Sequence, residues 1–95
     1  MSSIVIAAFY KFVALPDYQE RQRPLHDFCV SQDVKGSILL AAEGINGTIA
    51  GSRQGIDAVL AYLRQDVIFA SLTHKESHAD WMPFARMKVR LKQEI

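Results

Sequence analysis

Cysteine is nearly absent from this sequence: Cys29 is the only one among 95 residues. A lone cysteine excludes an intrachain disulfide, so a reducing compartment, the cytoplasm, is expected. No apolar run approaches the ~20 residues that span a bilayer, so no membrane partner is expected. The opening Met1-Ser2-Ser3-Ile4 has no basic stretch ahead of an apolar one, and no secretory leader is expected. The usual catalytic signatures are missing too. There is no phosphate-binding Gly-x-x-x-x-Gly-Lys loop, no Cys-x-x-Cys pair and no Gly-x-Ser-x-Gly elbow. Net charge is only +1, which gives no bulk attraction to nucleic acid.

The composition that remains is 49% hydrophobic and 22% charged, ordinary for one globular domain of this length. The charge is unevenly placed. Arg86, Lys88, Arg90 and Lys92 stand against Glu94 in the last ten residues, and the rest of the chain is slightly acidic.

Four of the five glycines, Gly36, Gly44, Gly47 and Gly51, fall in one stretch with Asn46. Two apolar arms, 37–42 and 48–50, flank Glu43-Gly44-Ile45-Asn46-Gly47. The Asn-Gly pair predicts the turn of a central β-hairpin, because both residues tolerate positive φ. Ahead of it, 4–13 is rich in β-branched and aromatic residues and reads as a buried strand. Asp17, with Glu20 three residues on, predicts a capped helix start. Pro24 predicts either a kink or a restart of that helix. Leu25, Phe28 and Cys29 form its buried stripe.

Ser52 predicts the N-cap of a second helix over 53–65, with Ile56, Val59, Leu60 and Leu63 inward. Residues 67–76 read as a further strand, and 78–83 as an irregular connector containing Trp81. From Arg86 to Ile95 the pattern has period two: Arg86, Lys88, Arg90 and Lys92 alternate with Met87, Val89 and Leu91, as in a strand with one wet face. The order β-α-β-β-α-β plus one strand predicts an α+β, ferredoxin-like (acylphosphatase-like) sandwich over 1–95, with two helices on one face of an antiparallel sheet. The pattern is still strong at Ile95, which suggests a continuation.

Candidate chemistry is sparse. His74 and His78 read as exposed polar residues, and His26 near Cys29 as packing, so no metal site is expected. No catalytic residue and no cofactor is expected. Glu43, Asn46 and Gly47 form either a tight turn or a turn that offers N–H groups to an anion. Arg86, Lys88, Arg90 and Lys92 form either a solvated strand face or a contact for phosphates. Trp81, Met82 and Phe84 either close the core or meet a partner domain. An enzyme of the acylphosphatase type needs a Gly-rich loop with an arginine after the first strand, and Ala14-Leu15-Pro16-Asp17 stands there instead. An RNA-recognition module needs aromatics on two central strands. Phe9 and Tyr10 supply the first strand, but Thr48-Ile49-Ala50 supplies none.

The stretch from Gly36 to Gly51 resembles the signature of the bacterial rhodanese-like tRNA uridine hydroxylases. Phe9-Tyr10-Lys11-Phe12, Lys75-Glu76-Ser77, Pro83-Phe84 and 87–95 also fit, so the resemblance spans nearly the whole chain. It implies a family that makes 5-hydroxyuridine at the tRNA wobble position with oxygen. It also implies a ferredoxin-like N-terminal domain followed by a rhodanese domain with a reactive cysteine. This chain corresponds to the first of these, and Cys29 does not match the reactive cysteine. The partners implied are tRNA, through the parent protein, and a C-terminal rhodanese domain, with no DNA. The alternative is a packing domain with no RNA contact.

Overall fold

The computed structural model describes residues 3–93. Strand β1 (Ile4–Phe12) buries Val5, Ala7 and Phe9 and turns the intervening residues the other way. Helix α1 (Tyr18–Ser31) follows, then β2 (Lys35–Ala41) and β3 (Gly44–Gly51). Helix α2 (Arg53–Arg64) and a single 3₁₀ turn (Val67–Phe69) lead to β4 (His74–Ala79) and β5 (Met87–Leu91). The five strands lie in the order β4-β1-β3-β2-β5. Both helices pack on one face, as expected. The sheet is mixed rather than wholly antiparallel, because β5 runs parallel to β2.

Helix α2 forms as its pattern predicts. The Ser52 side chain accepts from the Gly55 N–H at 2.9 Å, satisfying one of the free donors of the first turn. Ile56, Val59, Leu60 and Leu63 are buried against the sheet. In α1, Leu25 and Cys29 are buried, while Phe28 stacks on Tyr62 with ring centroids 4.5 Å apart.

Other expectations need correction too. First, of the two alternatives at Pro24 the restart falls, because α1 runs through it as one helix. The missing N–H deprives Glu20 of its helical partner, and Glu20 is exposed, so water can supply the donor. Second, Asp17 holds the N-cap position but its side chain does not cap. It accepts instead from Arg21 Nε at 2.9 Å, and Arg21 also reaches Asp66 at 2.7 Å, tying α1 to the 3₁₀ turn. Third, 67–76 is not one strand. The Asp66 side chain accepts from the Ile68 N–H and caps the 3₁₀ turn, while Phe69 and Leu72 plug the core below it. Strand β4 starts only at His74. Fourth, the final strand spans only Met87–Leu91, with Lys92 just past its end. Residues 94–95 of the predicted strand lie outside the described residues.

The hairpin turn is also displaced. Ala42 and Glu43 make the turn, and Asn46-Gly47 lies within β3. Gly44 carries the positive φ, +147°, and a Cβ there would sit 2.0 Å from the Lys11 carbonyl oxygen. Gly47 has a different reason to be glycine: a Cβ would meet the Phe9 ring at 3.0 Å and Ile38 at 2.9 Å. Asn-Gly signalled a turn, but here the pair gives β3 a place for the Phe9 ring.

Candidate nucleic-acid interface

The two helices cover one face of the sheet, and alternation along each strand sends the remaining side chains to the other face. Register places these residues in rows. One row runs Lys88–Ser37–Thr48–Ala8–Lys75 across all five strands, with a cation at either end. At ~4.8 Å per strand the two lysine backbones are about 19 Å apart. The next row runs Arg90–Leu39–Asn46–Tyr10. Tyr10 is 65% exposed, and Phe12, two residues on, is 66% exposed.

The basic ladder is divided by the short final strand. Lys88 and Arg90 lie in β5 and face outwards, opposite buried Met87 and Val89. Arg86 precedes the strand, and its carbonyl accepts from the Gly36 N–H at 3.1 Å. Lys92 follows it, held to the Leu40 carbonyl through its own N–H at 2.9 Å. Helix α1 fixes this edge from behind, where Gln22 Nε2 donates to the Val89 carbonyl at 2.7 Å. Among the described residues, Lys75, Lys88 and Arg90 enter no ion pair.

The hairpin candidates separate. Asn46 is exposed on the open face, Gly47 is buried, and Glu43 is in the turn at the sheet's end, its carbonyl accepting from the Val13 N–H. The N–H groups of 44–47 lie in a strand paired on both sides, by β1 and by β2. Of the connector, Trp81 is 73% exposed, whereas Met82 and Phe84 are half-buried. Phe84 lines a depression of about 360 Å³ together with Ser37, Arg86, Lys88 and Arg90, which joins the connector to the basic edge.

Elsewhere one polar cluster is engaged internally. Arg53 donates to both Asp57 and Glu76, and Glu76 also bonds His74, which bonds Arg64. The bonds from Arg53, then from His74, hold the Glu76 carboxyl down at about 2. His74, expected as a plain exposed residue, is held between Arg64 and Glu76; Glu76, two residues along the same strand face, is the signal for this in the sequence. Burial pushes the Cys29 thiol up to about 12, which suits packing and not nucleophilic work. His26 bonds Asp27 at 3.3 Å.

A family profile described as the UPF0176 acylphosphatase like domain matches residues 4–95. The chain belongs to that family. Within it, a tRNA uridine(34) hydroxylase from Albidiferax ferrireducens is 58% identical over all 95 residues, and one from Teredinibacter turnerae 53%. The chain spans 30% of the length of each, at their N-terminal end. It is thus similar to the N-terminal domain of these hydroxylases. The UPF0176 domain also shares its fold with solved structures at low identity. BlrB, a BLUF protein, superposes with a TM-score of 0.78 at 16% identity, covering 96% of this chain and 74% of BlrB. An acylphosphatase from Coxiella burnetii gives 0.60 at 7%, covering 94% of each chain. No helix among the described residues is long and apolar enough to cross a membrane.

Proposed function

We propose that this chain is the N-terminal domain of a cytoplasmic enzyme that hydroxylates tRNA uridine 34 to 5-hydroxyuridine with oxygen, and that it helps hold the tRNA. A rhodanese domain following it carries the chemistry in this reading, and the described residues act by binding. The observation that carries the tRNA role is the outward row of Arg86, Lys88 and Arg90 on a sheet edge, backed by relatives named for their action on tRNA. Basic side chains on phosphates release counterions, so affinity falls with salt.

Replacing Arg86, Lys88 and Arg90 together by Glu is expected to weaken tRNA binding at least tenfold at low salt and to flatten the salt dependence, read by filter binding or anisotropy. Unchanged affinity at low salt would remove the phosphate-contact role.

A second reading draws on Trp81. A tryptophan 73% exposed beside half-buried Met82 and Phe84 forms an apolar patch that suits docking of the rhodanese domain. In that case Trp81→Ser lowers the activity of the longer enzyme and loosens the contact between its domains, while tRNA affinity of this chain stays unchanged.

A further inference from the structure

The open sheet face carries two large rings that the hydrophobic core does not use. Tyr10 and Phe12 project from β1, an interior strand flanked by β4 and β3, and each keeps about two thirds of its surface in solvent. Their centroids are 5.9 Å apart and their planes 75° from parallel. Edge-to-face geometry does not hide the ring faces against each other as a parallel stack does. Beside them the sheet is polar and cationic. Asn46 lies opposite Tyr10 in the register, and Thr48 and Ser37 lie one row away, between Lys88 and Lys75. Ala8, Tyr10, Asn46, Thr48 and Lys75 share a shallow depression of about 600 Å³.

None of the outward positions on the five strands is acidic: they are Ile, Ala, Tyr, Phe, Lys, Ser, Leu, Gly, Asn, Thr and Arg. The carboxylate on β4, Glu76, belongs to the helix side with His74 and Arg53. Exposed aromatic rings inside a cation-bounded field without carboxylates match an unpaired polyanion that has planar groups. They do not match an apolar protein surface, which would leave three cations facing it without counter-charges.

We propose that this face is a stacking platform for unpaired RNA bases. The rings of Tyr10 and Phe12 stack the bases, the Asn46 amide lies in reach of a stacked base's edge, and Lys75, Lys88 and Arg90 take the flanking phosphates. Stacking on exposed rings tolerates any base and requires the base to be free of a duplex. The two-strand aromatic rule for RNA-recognition modules is not met here, and the face offers its rings from a single strand. Phe9 is in the core, and β1 alone supplies both rings, two residues apart. The inference rests on the tRNA reading above and narrows it to nucleotides in a loop.

The test is an anisotropy titration of the full chain with labelled oligouridylate, its duplex with oligoadenylate, and a tRNA anticodon stem-loop. Single strand and stem-loop are expected to bind more tightly than the duplex. Tyr10→Ala and Phe12→Ala each weaken single-strand binding by roughly five- to hundredfold without changing the salt slope, and Tyr10→Phe keeps the affinity. Lys88→Gln lowers the slope by about one. Photocrosslinking of a 4-thiouridine probe to the unaltered chain, mapped to Tyr10 or Phe12, checks the same contact independently of any variant's folding. Equal binding of single strand and duplex, with Tyr10→Ala silent and Lys88→Gln weakened, overturns stacking and leaves phosphate contact standing. Failure of the unaltered chain to bind any of these RNAs overturns this inference, and with it the tRNA-holding role. Loss of domain contact in the longer enzyme on Tyr10→Ala, with RNA affinity intact, overturns it in favour of a docking face.

Discussion

Glu76 makes the stability of the domain sensitive to acid. Its carboxyl sits near 2 in the folded chain, because Arg53 and His74 bond the ionised form, against an ordinary value of 4.5. A depressed carboxylate contributes stability above its unfolded value and loses that contribution as pH falls to the folded one. The difference in melting temperature between the native sequence and Glu76→Gln is therefore expected to shrink from pH 4.5 down to pH 2. A constant difference across that range would show that the Arg53 and His74 bonds add nothing. Cys29 gives a second residue-scale prediction. Fully buried and with its thiol raised to about 12, it is expected to resist iodoacetamide at pH 8 in the folded chain and to react once urea unfolds it. At the hairpin, Gly44→Ala forces a Cβ onto the Lys11 carbonyl at a positive φ. We expect a loss of at least about 2 kcal/mol, seen as a melting temperature lower by roughly 10 °C. Gly47 and Asn46 show the limit of residue-level reading. Asn-Gly is a sound turn signal, yet a glycine needed to admit a neighbouring ring looks the same in sequence as one needed for positive φ.

Among the elements, α2 was the most legible, because its cap and its 3.6-residue apolar period agree. Leu60 is buried in it, and Leu60→Asp places a carboxylate where about 1.5–3 kcal/mol of apolar burial had been. That variant is expected to lose its cooperative melt; a native-like melt would contradict the packing of α2 on the sheet. The segment 67–76 departs from the expected strand for a physical reason. Val67-Ile68-Phe69 is a short apolar run, and such a run does not declare its period. The Asp66 cap and the burial of Phe69, with Val67 left exposed, decide for a 3₁₀ turn. Pro24 shows a related ambiguity: it lies on an exposed helix face, where the carbonyl it leaves without an N–H partner is open to solvent, and the helix continues. Strand β5 keeps the expected alternation at Met87, Lys88, Val89 and Arg90 and is shorter than its sequence pattern.

At the scale of the molecule, the element order was enough to reach a ferredoxin-like sandwich, but the candidate interface was not in that order. The cations of β5, Asn46 of β3, Tyr10 of β1 and Lys75 of β4 come from four separate stretches. Only the order β4-β1-β3-β2-β5, with β5 parallel to β2, brings them to one face in register. The parallel pairing of β5 is a long-range choice that the alternation of its own residues does not encode. It also sets the basic edge beside Phe84 and the connector, so that phosphate-type and partner-type candidates adjoin. In the proposed function this face holds tRNA for a longer enzyme. The most direct measurement is steady-state hydroxylation of tRNA uridine 34 by that longer enzyme, with Arg86, Lys88 and Arg90 replaced by Glu and nucleoside mass spectrometry as readout. A KM for tRNA raised about tenfold or more, with kcat little changed, is the predicted result; native KM and kcat for the variant would contradict it.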